Sequence, residues 1–145
     1  MVERNFWIRR IVLAWERAPI VWLTGVRRVG KTTLAKAFTD AAYVNCDLPR
    51  NREHLSDPEF FLSECKAVRI ILDEVHQLEN PSELLKIAAD EFPDKQVLAT
   101  GSSTLAATAK FRDSLTGRKR TVFLPPVLVT ELPAFDDVPM EQRLL

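Results

Sequence analysis

With 145 residues, the chain has the size of one compact domain, long enough to bury about two-thirds of its unfolded surface. Its 46% hydrophobic and 28% charged residues mark a soluble globular protein and exclude a disordered or fibrous one. Twenty basic residues balance twenty acidic ones, which excludes nucleic-acid binding driven by overall charge and leaves only a local basic patch open.

In chain order, residues 3–17 place Trp7, Ile8, Ile11, Val12 and Trp15 at helical spacing, with Arg9, Arg10 and Arg17 elsewhere on the circle. This predicts an amphipathic helix packed on the domain, ended by Pro19. Membrane or nucleic-acid contact through the arginines is the minor alternative. Arg9 and Arg10 interrupt the first apolar stretch, no small-residue cleavage site follows, and no apolar run reaches the length of a membrane span. Cys46 and Cys65 have neither metal-ligand spacing nor a CxxC pattern, so they read as free thiols in a reducing compartment. The expected location is cytoplasmic, with no membrane partner.

Ile20 to Leu23 is a continuous apolar run, as a parallel strand covered on both faces requires. A helix is expected over Gly30 to Phe38 and a second strand over Ala42 to Cys46. Asp57-Pro58 and Asn80-Pro81 are helix starts, each an N-cap followed by proline, and Glu83 stands as the reciprocal capping partner of the second. Val68 to Leu72 and Gln96 to Thr100 are further strands. A helical stretch from about 104 to 115 precedes a fifth strand, Thr121 to Leu124, and Val127 to Val129 is a candidate edge continuation. Strands alternating with helices predict an α/β fold with a mainly parallel sheet. The organisation is a single P-loop domain over residues 1–145, with an N-terminal helix at 3–17, a core from about 20 to 130 and a polar tail at 131–145.

The chemistry concentrates between the first strand and the following helix. Gly25-Val26-Arg27-Arg28-Val29-Gly30-Lys31-Thr32 fits the phosphate-loop pattern G-x-x-x-x-G-K-S/T without a mismatch, and Thr33 extends it into the helix. The glycines let successive backbone N–H groups converge on a phosphate, and the helix start adds its free N–H groups and positive dipole end. Lys31 is expected on the β- and γ-phosphates and the Thr32 hydroxyl on Mg2+.

Asp73 ends an apolar strand, where an acid can hold Mg2+ through water. Glu74 beside it is placed to polarise a water for attack on the γ-phosphate, which favours hydrolysis over transfer. Thr100 and Ser102 follow the fourth strand and are candidates to sense the γ-phosphate or the attacking water. Arg112, Arg118, Lys119 and Arg120 cluster beside Gly117 and offer a charge for the transition state, in the same subunit or across an interface. Asp47 reads as a turn residue, His54 and His76 as structural or surface, and Trp7, Trp15 and Trp22 as core.

Together, LTGVRRVGKTTL, YVNCD, IILDEVHQL, LATGSSTL and SLTGRKR resemble a family of prokaryotic AAA/STAND-like P-loop ATPases. The resemblance runs from about residue 20 to 135. It implies an additional-strand P-loop fold with sheet order 5-1-4-3-2 and ATP and Mg2+ as cofactors. It supports Lys31, Thr32, Asp73 and Glu74 in the roles above, and suggests Ser102 or Ser103 as polar sensor and Arg118 as arginine finger or sensor. Val26 stands where the family usually has proline, and His76 where it tends to have glutamine. The C-terminal domain that such ATPases usually carry is missing from these residues, so the expectation is an N-terminal ATPase portion. A homo-oligomer or protein partner is compatible with it. Two other functions remain open at this point, a small-molecule or nucleotide kinase and a non-catalytic nucleotide switch.

Overall fold

The computed structural model describes residues 2–25, 37–101 and 103–124. The phosphate loop beyond Gly25, Ser102, the predicted helix as far as residue 36, the 127–129 segment and the tail lie outside the described residues. The rest runs α1 (Val2–Trp15), β1 (Ile20–Gly25), β2 (Ala42–Asn45), α2 (Pro49–His54), α3 (Pro58–Glu64), β3 (Arg69–Asp73), a single 3-10 turn (Val75–Gln77), α4 (Pro81–Glu91), β4 (Gln96–Thr100), α5 (Ser103–Ala106), α6 (Ala109–Leu115) and β5 (Lys119–Leu124).

The five strands form one sheet of order β2-β3-β4-β1-β5, and every pairing is parallel. This is the expected 5-1-4-3-2 arrangement read from the other edge. Strand β1 lies between β4 and β5 and is buried on both faces, which accounts for its unbroken apolar run. Ile20 and Trp22 point into one core with Ile70, Leu72, Val97, Ala99, Phe111 and Leu115. Val21 and Leu23 point into the other with Ile71, Leu98, Val122 and the α1 side chains. Complete burial of a side chain such as Leu98 or Ile71, both at 0% exposure, contributes about 1.5–3 kcal/mol.

Helix α1 docks through Trp7, Ile11 and Trp15, one residue per turn along a single stripe. Trp15 also donates from Nε1 to the carbonyl of Val97, 3.0 Å away, so the helix is pinned to the start of β4. The three tryptophans are core residues, as their setting in the sequence suggests.

Both predicted N-caps form. Asp57 accepts from the Phe60 amide at 3.2 Å and Asn80 from the Glu83 amide at 3.4 Å. Glu83 returns the contact to the Asn80 side-chain amide, at 3.0 Å. Three local features differ from expectation. The stretch 104–115 is two helices, because Thr108 turns the chain and caps α6 through the Phe111 amide at 3.2 Å. Helix α2 was not anticipated, since none of its residues is buried, no apolar periodicity marks it, and its first-turn Pro49 follows Leu48, which offers no side-chain cap. Strand β5 begins two residues before Thr121, because Lys119 already pairs with Ile20.

Candidate functional site

A parallel sheet brings the carboxyl ends of its strands to one edge, where ligands sit in open α/β folds. Here β1 delivers Gly25, β2 Asn45, β3 Asp73 and β4 Thr100 to that edge. Register sets which side chains meet. Asn45 lies beside Asp73, Ile71 beside Leu98 and Leu23 beside Thr100. Because side chains alternate, Tyr43, Asp73 and Thr100 all project on the α1 side of the sheet.

Asp73 is 2% exposed, and both of its oxygens are engaged. The Thr100 hydroxyl donates to Oδ1, and the Tyr43 hydroxyl donates to Oδ2 at 2.6 Å. Thr100 Oγ1 also accepts from the Glu74 amide at 3.0 Å. The threonine therefore links the aspartate to the next residue's backbone, and two donors satisfy a carboxylate whose burial alone is costly. Burial, and then the Asp73 carboxylate, push the Tyr43 hydroxyl well above its usual pKa. Cys46, whose amide donates to the Asp73 carbonyl at 2.9 Å, is pushed up to about 12 by burial and by the charges of Asp73 and Glu74.

Glu74 follows immediately in a left-handed conformation, φ 64° and ψ 45°. It is the one non-glycine with positive φ among the described residues. That region costs a side-chain-bearing residue about 1–2 kcal/mol. The kink turns the chain out of β3 into the 3-10 turn and sets the Glu74 carboxylate 3.4 Å from His76 Nε2.

Gly101, next after Thr100, is buried, and a Cβ there would lie 2.9 Å from Trp22 Cη2 and 3.4 Å from the His76 amide nitrogen. The segment after β4 thus passes against both β1 and the turn after Glu74, and only glycine fits.

Of the residues singled out in the sequence, Gly25, Asp73, Glu74 and Thr100 are brought to this edge. Val26, Arg27, Arg28, Val29, Gly30, Lys31, Thr32, Thr33 and Ser102 lie outside the described residues. Arg118 is not brought there. It precedes β5, whose first residue pairs with Ile20 at the start of β1, and six strand residues separate it from the carboxyl edge by about 20 Å. Its guanidinium instead grips Asp90 at 2.7 and 3.1 Å and holds that carboxyl below its usual range. This is a positional correction for a finger or sensor in the same subunit: the residue is committed to fastening β5 to α4. Asp47 has the expected turn role, its amide donating to Asn45 Oδ1 at 3.0 Å. His76, read as structural or surface, faces Glu74. Tyr43 was not singled out at all, although its position two residues before the end of β2 puts it on the Asp73 face.

Among the described residues no group of three or more His, Cys, Asp or Glu side chains can cage a metal. The donor set instead suits a cation held largely by water and phosphate oxygens, with one or two protein ligands, as Mg2+ usually is. Asp73 keeps unused lone pairs beyond its two hydrogen bonds and fits that role.

The AAA domain family matches residues 17–132. Two curated relatives, uncharacterised proteins of Mycobacterium bovis and Mycobacterium tuberculosis, are each 29% identical over 136 residues. The alignment covers 91% of this chain and 31% of each relative, so the chain spans about a third of their length. Among solved structures, the Thermotoga maritima RuvB Holliday junction branch migration motor matches with a TM-score of 0.52 and 21% identity, over 81% of this chain and 43% of that one; at that identity the likeness speaks for the fold. No helix among the described residues is long and apolar enough to cross a membrane. With a family match over most of its length, a sheet of the matching order and strand ends that gather Gly25, Asp73 and Thr100, this chain belongs to the AAA domain family of P-loop nucleotide-binding proteins.

Proposed function

We propose that the chain binds ATP with Mg2+ at the carboxyl edge and hydrolyses it. The observation that carries this reading is Asp73, a buried carboxylate fastened by Thr100 and Tyr43, followed at once by the constrained Glu74. Lys31 and the backbone of Gly25 to Thr33 bind the phosphates, and Thr32 and Asp73 are the residues that hold the cation. Bound there, Mg2+ supplies neutralisation of the charge developing on the phosphates. Glu74 takes the proton of the attacking water, and its fixed backbone keeps the carboxylate directed out of the sheet. Thr100 couples the two acids through its paired contacts, and Ser102 senses the γ-phosphate. Further copies of the chain or a protein partner, and a cytoplasmic setting, belong to the same proposal.

The test is ATP binding and turnover on one preparation. Lys31→Ala abolishes both, whereas Glu74→Gln loses turnover and keeps ATP binding. Undiminished turnover in Glu74→Gln removes the assigned base, and tight binding without any turnover in the parent chain favours a nucleotide switch.

A further inference from the structure

A groove of about 540 Å³ between α1 and β5 is lined by Phe6, Arg9, Arg10, Leu13, Arg17 and Arg120, among others. Positions 6, 9, 10 and 13 recur every three or four residues, so they form one stripe of α1, beside the Trp7–Ile11–Trp15 stripe that seats it, and Arg17 follows in the turn just past the helix end. On β5, Arg120 pairs with Val21 and Val122 with Leu23, which turns both towards the α1 layer. Strand β5 is the outermost strand of the described sheet, and the groove opens along its flank.

The lining holds four arginines and no carboxylate. Among the described residues, Arg9, Arg17 and Arg120 have no ion-pair partner. Arg10 lies over the rings of Phe6 and Trp7, 5.9 and 5.2 Å from their centroids. Like charges gathered without a counter-charge repel one another, so the cluster is complementary to a polyanion. A cleft beside β2, at the opposite edge of the sheet, instead carries Glu53, Asp57 and Glu64. The basic groups in the groove are all arginine, whose planar fork matches phosphate oxygens in pairs. Phe6 and Leu13, 48% and 53% exposed, add an apolar surface within it. An aromatic ring backed by a guanidinium is a stacking platform for a nucleobase, a feature that an acidic peptide does not use.

We propose that the α1–β5 groove binds a single strand of nucleic acid, with the guanidiniums on its phosphates and a base against Phe6. The site lies on the sheet flank and is independent of the hydrolytic reading of the carboxyl edge.

The experiment is fluorescence anisotropy of a labelled oligothymidylate with the 145-residue chain, titrated at several KCl concentrations without ATP. Four phosphate contacts give a log–log salt slope of about −2.8 for a single strand. The Arg9→Ala/Arg120→Ala double variant halves the slope to about −1.4, while Arg120→Lys keeps it. Phe6→Ala weakens binding roughly tenfold with the slope unchanged. Unaltered thermal melting shows that the variants fold. No binding at low salt overturns the proposal, as does a slope that the double variant leaves unchanged. So does polyglutamate that competes as well as the oligonucleotide, which assigns the groove to an acidic peptide. Self-association in sedimentation that Arg120→Glu abolishes, without oligonucleotide binding, assigns it to the acidic cleft of a second copy.

Discussion

Replacing Glu74 with glycine should make the protein more stable while removing its proposed base. Glu74 sits at φ 64° and ψ 45°, a conformation that costs a side-chain-bearing residue about 1–2 kcal/mol. Glycine removes that cost but gives back about 0.5–1 kcal/mol through the greater freedom of its unfolded chain. The substitution also loses the 3.4 Å contact between Glu74 and His76, whose side chains are 38% and 27% exposed, and solvent screening holds such a pair to about 0.3 kcal/mol. The bond from the residue-74 amide to Thr100 is a backbone contact and survives. The balance is a gain of about 0.5 kcal/mol, or roughly 1–2 °C in melting temperature for a chain of this size. Circular dichroism melts without nucleotide or Mg2+ read it directly. Glu74→Gln is the companion variant: it keeps the strained backbone, so its melting temperature stays at the parent value while turnover is lost. A Glu74→Gly protein that melts at or below the parent refutes the idea that this position holds stored backbone strain.

Other outcomes follow from the same geometry. Gly101→Ala introduces a methyl 2.9 Å from Trp22 Cη2 and costs about 1–3 kcal/mol of stability in urea titrations, part of which Trp22→Phe restores by removing the clashing atom. Tyr43→Phe deletes the 2.6 Å bond to Asp73; it lowers stability by about 1.5–3 kcal/mol and raises the Mg2+ concentration needed for half-maximal ATP turnover. Stability also declines in alkali. Cys46 has its pKa raised from 9.0 to about 12, so between those values the unfolded chain releases a proton that the folded one keeps. The stabilisation is complete below pH 9.0, and urea titrations at rising pH should show it falling by up to about 1.4 kcal/mol per unit. Tyr43 steepens the decline above its ordinary value of 10.0, and Cys46→Ala flattens the first part of it. An alkaline slope identical in Cys46→Ala places the titrating group elsewhere.

What was legible in the sequence divides along physical lines. Strands β1, β3 and β4 are buried on both faces, so their apolar runs show plainly in one dimension. Asp57 and Asn80 announce their helices because capping is a local interaction. The strand order came with the resemblance, since no local pattern specifies which parallel strands pair. Tyr43 was missed because its partner lies 30 residues away and meets it only through the β2–β3 register. His76 could have been found: it stands where the resembled family tends to have glutamine, three residues after Asp73, on the turn that Glu74 initiates. Arg118 lies away from the carboxyl edge of its own subunit because β5 starts, rather than ends, beside it, a matter of strand direction that its sequence neighbours do not carry.

The packing of Trp22 makes the protein its own optical probe. Its ring is 1% exposed, lies 4.9 Å from Phe111 and abuts Gly101 at the exit of β4, while its indole Nε1 has no hydrogen-bond partner among the described residues. With Trp7 and Trp15 replaced by phenylalanine, emission comes from a single fluorophore whose benzenoid edge touches the segment leading to Ser102. A rearrangement of that segment when nucleotide arrives then shows as a change in emission maximum or lifetime, with no dye attached and no residue of the site altered.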